Sequence, residues 1–145
     1  MIVRKIIETK QIKDIVTVDA GETVATAAQV LAKHRIGAVV VSAGAGKIEG
    51  ILSERDIVKA LGTMGVSCMT LKVRDLMTSE VVGCRPDESA NSVLERMTNG
   101  RFRHMPVVEG EKMVGVISIG DVVKARISEI QEENSALTGM IANTW

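Results

Sequence analysis

The chain spells one short passage twice. Residues 50–60 read GILSERDIVKA and residues 115–125 read GVISIGDVVKA, with 6 of 11 positions identical at a displacement of 65 (50 to 115). The exchanges Ile51/Val116, Leu52/Ile117 and Ile57/Val122 keep the apolar character of the run. A unit of roughly 60 residues buries too little apolar surface to stand alone, so two copies are expected to pack together as one folding unit.

The echo spreads outward from this passage. At a displacement of 66 (22 to 88), Glu22-Thr23-Val24 faces Glu88-Ser89-Ala90, Arg35 faces Arg101 and Val41 faces Val107. Val24, Ala27, Ala28 and Leu31 have the spacing of one helix face, as do Ala90, Val93, Leu94 and Met97. Thr23 and Ser89 are placed to cap these helices, because a hydroxyl can accept from the free amides of a first turn. Gly100 is expected to end the second helix.

Each helix is followed by a short apolar run, Ala38 to Val41 or Met105 to Val108, then by a glycine-containing turn, AGAGK at 43–47 or EGEK at 109–112. A second run, Ile48 to Leu52 or Met113 to Ile117, completes a hairpin, and a further helix starts at Ser53 or Ser118. Val3-Arg4-Lys5-Ile6-Ile7 also resembles Val73-Arg74-Asp75-Leu76-Met77, displaced by 70 (3 to 73), so each unit opens with a short helical lead-in. The expected division is repeat 1 over 1–64, a linker over 65–72, repeat 2 over 73–127 and a helical tail over 128–145. Leu137, Met140 and Ile141 in that tail have helical spacing and suit a clamp on this chain or on a second subunit.

Composition narrows the function. The 18 basic and 18 acidic residues give a net charge of +0, which argues against a nucleic-acid polymer or an anionic membrane as partner. Phe102 and Trp145 are the aromatic residues, too few for a stacking platform. No apolar run approaches the ~20 residues of a membrane span, and MIVRKIIETK is too charged for a signal peptide. A cytoplasmic location is therefore expected. Cys68 and Cys84 lie in unlike contexts without a CxxC, and His34 and His104 do not align, so neither a disulfide framework, a metal site nor a catalytic dyad is indicated.

The repeated Gly-aliphatic-aliphatic-Ser-x-x-Asp sets a strand end against a helix start. In one reading it is a capping box, with Ser53 or Ser118 as cap and Asp56 or Asp121 as the third helical residue. In the other, the free amides and hydroxyl receive a phosphate and the carboxylate accepts ribose hydroxyls, which a nucleotide satisfies together. The segment RFRHMPV at 101–107 admits the same two readings, an exposed strand start with solvated charges or a phosphate-binding cluster. Pro106 cannot donate to a ladder, so its strand is expected at an edge or with an irregular start.

These two Gly-x-x-Ser-x-x-Asp signatures, with HRIGAVVV at 34–41 and RFRHMPVV at 101–108, resemble the CBS domain family, named for cystathionine β-synthase, in its tandem form called a Bateman module. The likeness covers about residues 1–127. It implies an α/β (α+β) fold of two β-α-β-β-α repeats with pseudo-two-fold symmetry, packed through their sheets, and two clefts between them for adenosine-containing ligands. Carried over, Ser53 and Asp56 hold phosphate and ribose beside Val81, Val82 and the segment Phe102, Arg103, His104 to Pro106. Ser118 and Asp121 do so beside Ile15, Gly37, Ala38 and Val39. Arg103 and His104 neutralise phosphate and Arg55 assists in the first cleft, while Gly120 takes the matching place in the second.

The resemblance also implies a homodimer and a chain that is nearly all sensor. The expected function is a regulatory module that binds AMP, ADP, ATP or NAD, with S-adenosylmethionine ranked below them, and signals to a separate, unknown effector protein. A structural or dimerisation adaptor without ligand, in which Ser-x-x-Asp only caps helices, is the alternative. A small nucleotide-processing enzyme ranks last, because no nucleophile, paired carboxylates or metal cluster can be read from the residues, and no catalytic residue is named.

Overall fold

The structure, a computed structural model, describes residues 1–10, 15–44 and 47–144, with the side chains of 138 and 140–144 outside the described set. Ala45 and Gly46 of the expected AGAGK turn, and Met140 and Ile141 of the expected tail stripe, therefore fall outside the described residues. In chain order the elements are α1 (Val3–Thr9), β1 (Thr17–Val18), α2 (Val24–His34), β2 (Ala38–Val41), β3 (Gly50–Ser53), α3 (Glu54–Met64), a 3-10 segment (Gly65–Thr70), α4 (Val73–Leu76), α5 (Ala90–Gly100), β4 (His104–Glu109), β5 (Lys112–Ser118) and α6 (Ile119–Thr144). No helix among the described residues is long and apolar enough to cross a membrane.

The caps form as the sequence leads one to expect. Thr23 Oγ1 accepts from the Thr26 amide at 3.2 Å and Ser89 Oγ from the Ser92 amide at 3.1 Å. The second helix ends at Gly100 as expected, but the left-handed turn falls one residue later. Gly100 is still helical, and it is Arg101 that turns left-handed at φ 56°, as Arg35 does at φ 54° after α2. Gly100 is small for another reason: a Cβ there would run into the Phe102 ring. Two non-glycine residues thus carry the left-handed strain at matched positions, at a cost on the order of 1–2 kcal/mol each.

In the first repeat β1 runs parallel to β2, and β2 antiparallel to β3. In the second, β4 and β5 form a two-stranded antiparallel sheet, and the counterpart of β1 shrinks to one parallel bridge between Cys84 and Val107. The cause is Pro106. Its counterpart Val40 donates its N–H to the Val16 carbonyl at 3.4 Å, a bond that proline cannot make. What survives are the two bonds around it, Cys84 N–H to the Pro106 carbonyl and Val108 N–H to the Cys84 carbonyl.

The buried side chains form two clusters rather than one continuous core. Val18, Val24, Leu31, Val39, Val41 and Leu52 anchor the first; Val93, Met97, Met105, Val107, Ile117 and Val122 anchor the second. The short lead-ins are exchanged between them. Val3 and Ile6 of α1 belong to the second cluster, and Val73 of α4 belongs to the first. The backbone bonds are matched in pairs: Val3 N–H to Glu88 O at 2.9 Å and Val73 N–H to Glu22 O at 2.8 Å, Ala90 N–H to Met1 O at 2.9 Å and Val24 N–H to Leu71 O at 2.8 Å. The connection after α3 is itself packed, with Cys68 fully buried and Met69 and Leu71 against the first cluster.

This exchange explains the repeated glycine that opens the echoed passage. A Cβ on Gly50 would lie 2.7 Å from the Thr78 carbonyl oxygen and 2.8 Å from Met77 Sδ, and one on Gly115 would lie 3.2 Å from Ile7 Cδ1. Each glycine lets the end of a lead-in cross a strand closely. The neighbours differ in softness, however, since a backbone carbonyl held by the Ile51–Thr78 bridge yields less than the tip of an isoleucine. Gly50→Ala is expected to destabilise by about 1–3 kcal/mol and Gly115→Ala by clearly less; urea denaturation of the two variants checks this, and equal losses would contradict it.

Candidate functional site

Both Ser-x-x-Asp motifs sit where a strand runs straight into a helix, β3 into α3 and β5 into α6. Ser53 N–H and Oγ–H both donate to Asp56 Oδ2, at 2.9 and 3.0 Å, and Asp56 N–H donates to Ser53 Oγ at 3.2 Å. In the second copy Ser118 N–H donates to Asp121 Oδ2 at 2.8 Å and Asp121 N–H to Ser118 Oγ at 3.1 Å. Each pair therefore closes a reciprocal capping box. The helix starts are tied to the neighbouring strands in the same way twice, Glu54 N–H to the Gly37 carbonyl at 2.9 Å and Ile119 N–H to the Arg103 carbonyl at 2.8 Å.

A cavity of about 660 Å3 opens beside Ser118 and Asp121. Its walls come from Met1 and α1 through Lys10, from the approaches to β1 and β2 in the first repeat, and from the start of β4 with β5 and α6 in the second. Of the residues expected around this cleft, Ile15, Gly37, Ala38, Ser118 and Asp121 line it. Val39 and Gly120 do not line it; the Val39 side chain is in the first cluster and Gly120 is exposed.

The residues expected around Ser53 and Asp56 are more scattered. Val81 is half-buried and Val82 exposed, on a segment that runs beside β3 through the Ile51–Thr78 bridge. Arg55 and Arg103 are exposed, Phe102 packs against the second cluster and Pro106 is buried in β4. His104 was assigned to this group by its sequence position, yet its imidazole lines the Ser118 cavity, where a Cβ on Gly37 would lie 3.1 Å from its Nε2.

Two features of this cavity escaped the sequence. Lys10 donates to the Val116 carbonyl at 2.6 Å and pairs with Asp121 Oδ2 at 3.0 Å. Residue 80, its counterpart 70 positions on, is a glutamate, so no repeat signal marks it. The second feature is the charge state of His104. Burial pushes its pKa below the ordinary 6.5; Glu54 and Asp121 pull it up, while Lys10 and Arg103 push it further down. The imidazole is thus mainly uncharged at neutral pH and offers a hydrogen bond rather than the positive charge expected of it.

The remaining reactive groups are quiet. Cys84 and Cys68 are free and buried, and burial, aided by Glu88 and opposed by Arg96, raises the Cys84 thiol to about 11. Among the described residues no group of three or more His, Cys, Asp or Glu could hold a metal ion.

Because the folded state holds His104 below 6.5, the unfolded chain takes up its proton first on acidification. Stability is then expected to fall as pH drops through about 6.5, more steeply in the wild type than in His104→Gln. NMR titration of the imidazole checks the cause directly, and a midpoint at or above 6.5 would contradict it.

Comparison with known proteins agrees with this architecture. The family model for the CBS domain matches residues 3–63 and 73–128. CBS domain-containing protein CBSX3, mitochondrial, of Arabidopsis thaliana is 36% identical over 124 residues, covering 83% of this chain, which spans 60% of that relative's length. The crystal structure of the CBS-domain protein ATU1752 from Agrobacterium tumefaciens superposes with a TM-score of 0.82 at 42% identity, over 87% of this chain and 99% of that one. The CBS domain pair of protein MJ0100, crystallised with 5′-methylthioadenosine and S-adenosyl-L-methionine, superposes with a TM-score of 0.78 at 25% identity, over 89% and 98%. With two matched repeats, exchanged lead-ins and a strand-to-helix Ser-x-x-Asp in each, the chain belongs to the CBS domain family.

Proposed function

We propose that this chain is a regulatory module that binds an adenosine-containing ligand between its repeats and passes occupancy to a separate effector protein. The observation that carries the reading is the cavity of about 660 Å3 in which Ser118 and Asp121 from one repeat face Gly37 and Ala38 from the other. That volume lies within the range of small-ligand and cofactor sites. Asp121 Oδ1 stands beyond the capping bonds and suits ribose hydroxyls, and the first turn of α6 suits a phosphate. The related pair with methylthioadenosine and S-adenosylmethionine supports the adenosine part of the reading. AMP, ADP, ATP and NAD share that part and are the ligands proposed here, with Ser53 and Asp56 as the second site.

A ligand that bridges two repeats shifts their arrangement only by its differential affinity for the two states. The route to a partner is proposed to run through a homodimer. Val58 on α3 and its counterpart Val123 on α6 are 64% and 41% exposed, and Ile127, Ile130 and Leu137 continue the apolar stripe along α6. The site is read as non-catalytic, since among the described residues no hydrogen bond joins a cavity hydroxyl to the His104 imidazole, and Ser118 Oγ accepts from the Asp121 amide instead.

The adaptor reading also has an observation in its favour: both Ser-Asp pairs are satisfied within the protein as capping boxes. The two readings part on ligand response. A ligand that binds the folded state alone raises the melting temperature, so a thermal-shift panel of AMP, ADP, ATP, NAD and S-adenosylmethionine is expected to show stabilisation by at least one. Asp121→Ala is expected to destabilise the fold by about 0.5–2 kcal/mol through loss of the capping box, read as a lower melting temperature, and to weaken the binding measured by calorimetry about tenfold or more. Stabilisation by none of the five would leave the adaptor reading.

A further inference from the structure

Two cations of the cavity lining are held by protein groups among the described residues, the Met1 ammonium by Glu129 and the Lys10 ammonium, and of these Lys10 is the one that pairs with Asp121. Its Nζ spans the Val116 carbonyl at 2.6 Å and Asp121 Oδ2 at 3.0 Å, with 24% of the side chain exposed. Arg35 and Lys124 line the same cavity but are exposed, and among the described residues no ion pair fixes them. An ammonium carries three N–H donors, so Lys10 keeps one beyond its two partners. Asp121 likewise keeps Oδ1 beyond the bonds to its Oδ2. A fixed positive charge thus stands 3.0 Å from the carboxylate that the proposed function assigns to ribose.

We propose that Lys10 is the specificity-determining residue of the Ser118–Asp121 cleft, selecting adenosine ligands that carry a phosphate over those that do not. The proposal rests on the adenosine reading of this cleft and names what that reading leaves open. Lys10 keeps the Val116 carbonyl as anchor and turns its third N–H to a phosphate oxygen, a charge-assisted bond in a half-buried site where water screens it less. Glu80, an exposed acid, holds the matching place in the other lead-in, so this selection is built on one side of the molecule only.

The test is calorimetric titration of the full chain with AMP and, separately, with adenosine, on the wild type, Lys10→Met and Lys10→Arg. The wild type is expected to prefer AMP. Lys10→Met is expected to lose about tenfold or more in AMP affinity, with adenosine changed less than about threefold, and Lys10→Arg to retain the preference. If Lys10→Met melts too early for titration, Lys10→Gln, which can still donate to the Val116 carbonyl, carries the same expectation. Equal losses for both ligands, or an unchanged preference, would overturn the role of Lys10 while leaving the adenosine site standing. Binding of neither ligand by the wild type would sink the adenosine reading and this proposal with it.

Discussion

The structure depends on an exchange of short segments between its two halves. The lead-in at 71–77 folds back on the repeat that precedes it, whereas α1 crosses to the repeat at the far end of the chain, with Val3 N–H on the Glu88 carbonyl. Burying Val3 and Ile6 in the second cluster fastens the beginning of the chain to its last third. Apolar burial worth about 1.5–3 kcal/mol per large side chain makes that fastening stable, and Gly115 leaves room for the Ile7 side chain beside it. The crossing sets Lys10, at the end of α1, in the cavity wall, where Ile15 ahead of β1 also stands, so the fold and the site share a cause.

Much of this was legible in the echoed passage. Its serines and aspartates set the strand ends and helix starts, and the spacing of Val24, Ala27 and Leu31 set the buried face of α2. The purpose of the glycine in the same passage was not legible, because it answers to Met77, Thr78 and Ile7, residues that pattern and spacing do not connect to it. Gly100 marks the end of its helix as expected, but for another reason: it clears the Phe102 ring while Arg101 takes the left-handed turn. Pro106 was read correctly as a strand irregularity, and what it removes is the pairing that β1 gives the first repeat.

The site shows where periodicity stops helping. Residues repeated in both halves, such as Ser53 with Ser118 and Asp56 with Asp121, announce themselves. Those that differ between the halves are silent in a repeat comparison, yet they decide what each cleft can hold. Lys10 against Glu80 and His104 against Ala38 are two such pairs, and both fall in or beside the described cavity. The proposed function therefore rests on shared residues, and its selectivity on unshared ones.

The central claim is that a ligand is gripped by both repeats at once. The most direct measurement is amide chemical-shift mapping by NMR during titration with AMP. The account predicts that Gly37 and Ala38 in the first repeat and Ser118, Ile119 and Asp121 in the second shift together along one saturation curve. Shifts confined to one repeat, or different curves for the two groups, would contradict it.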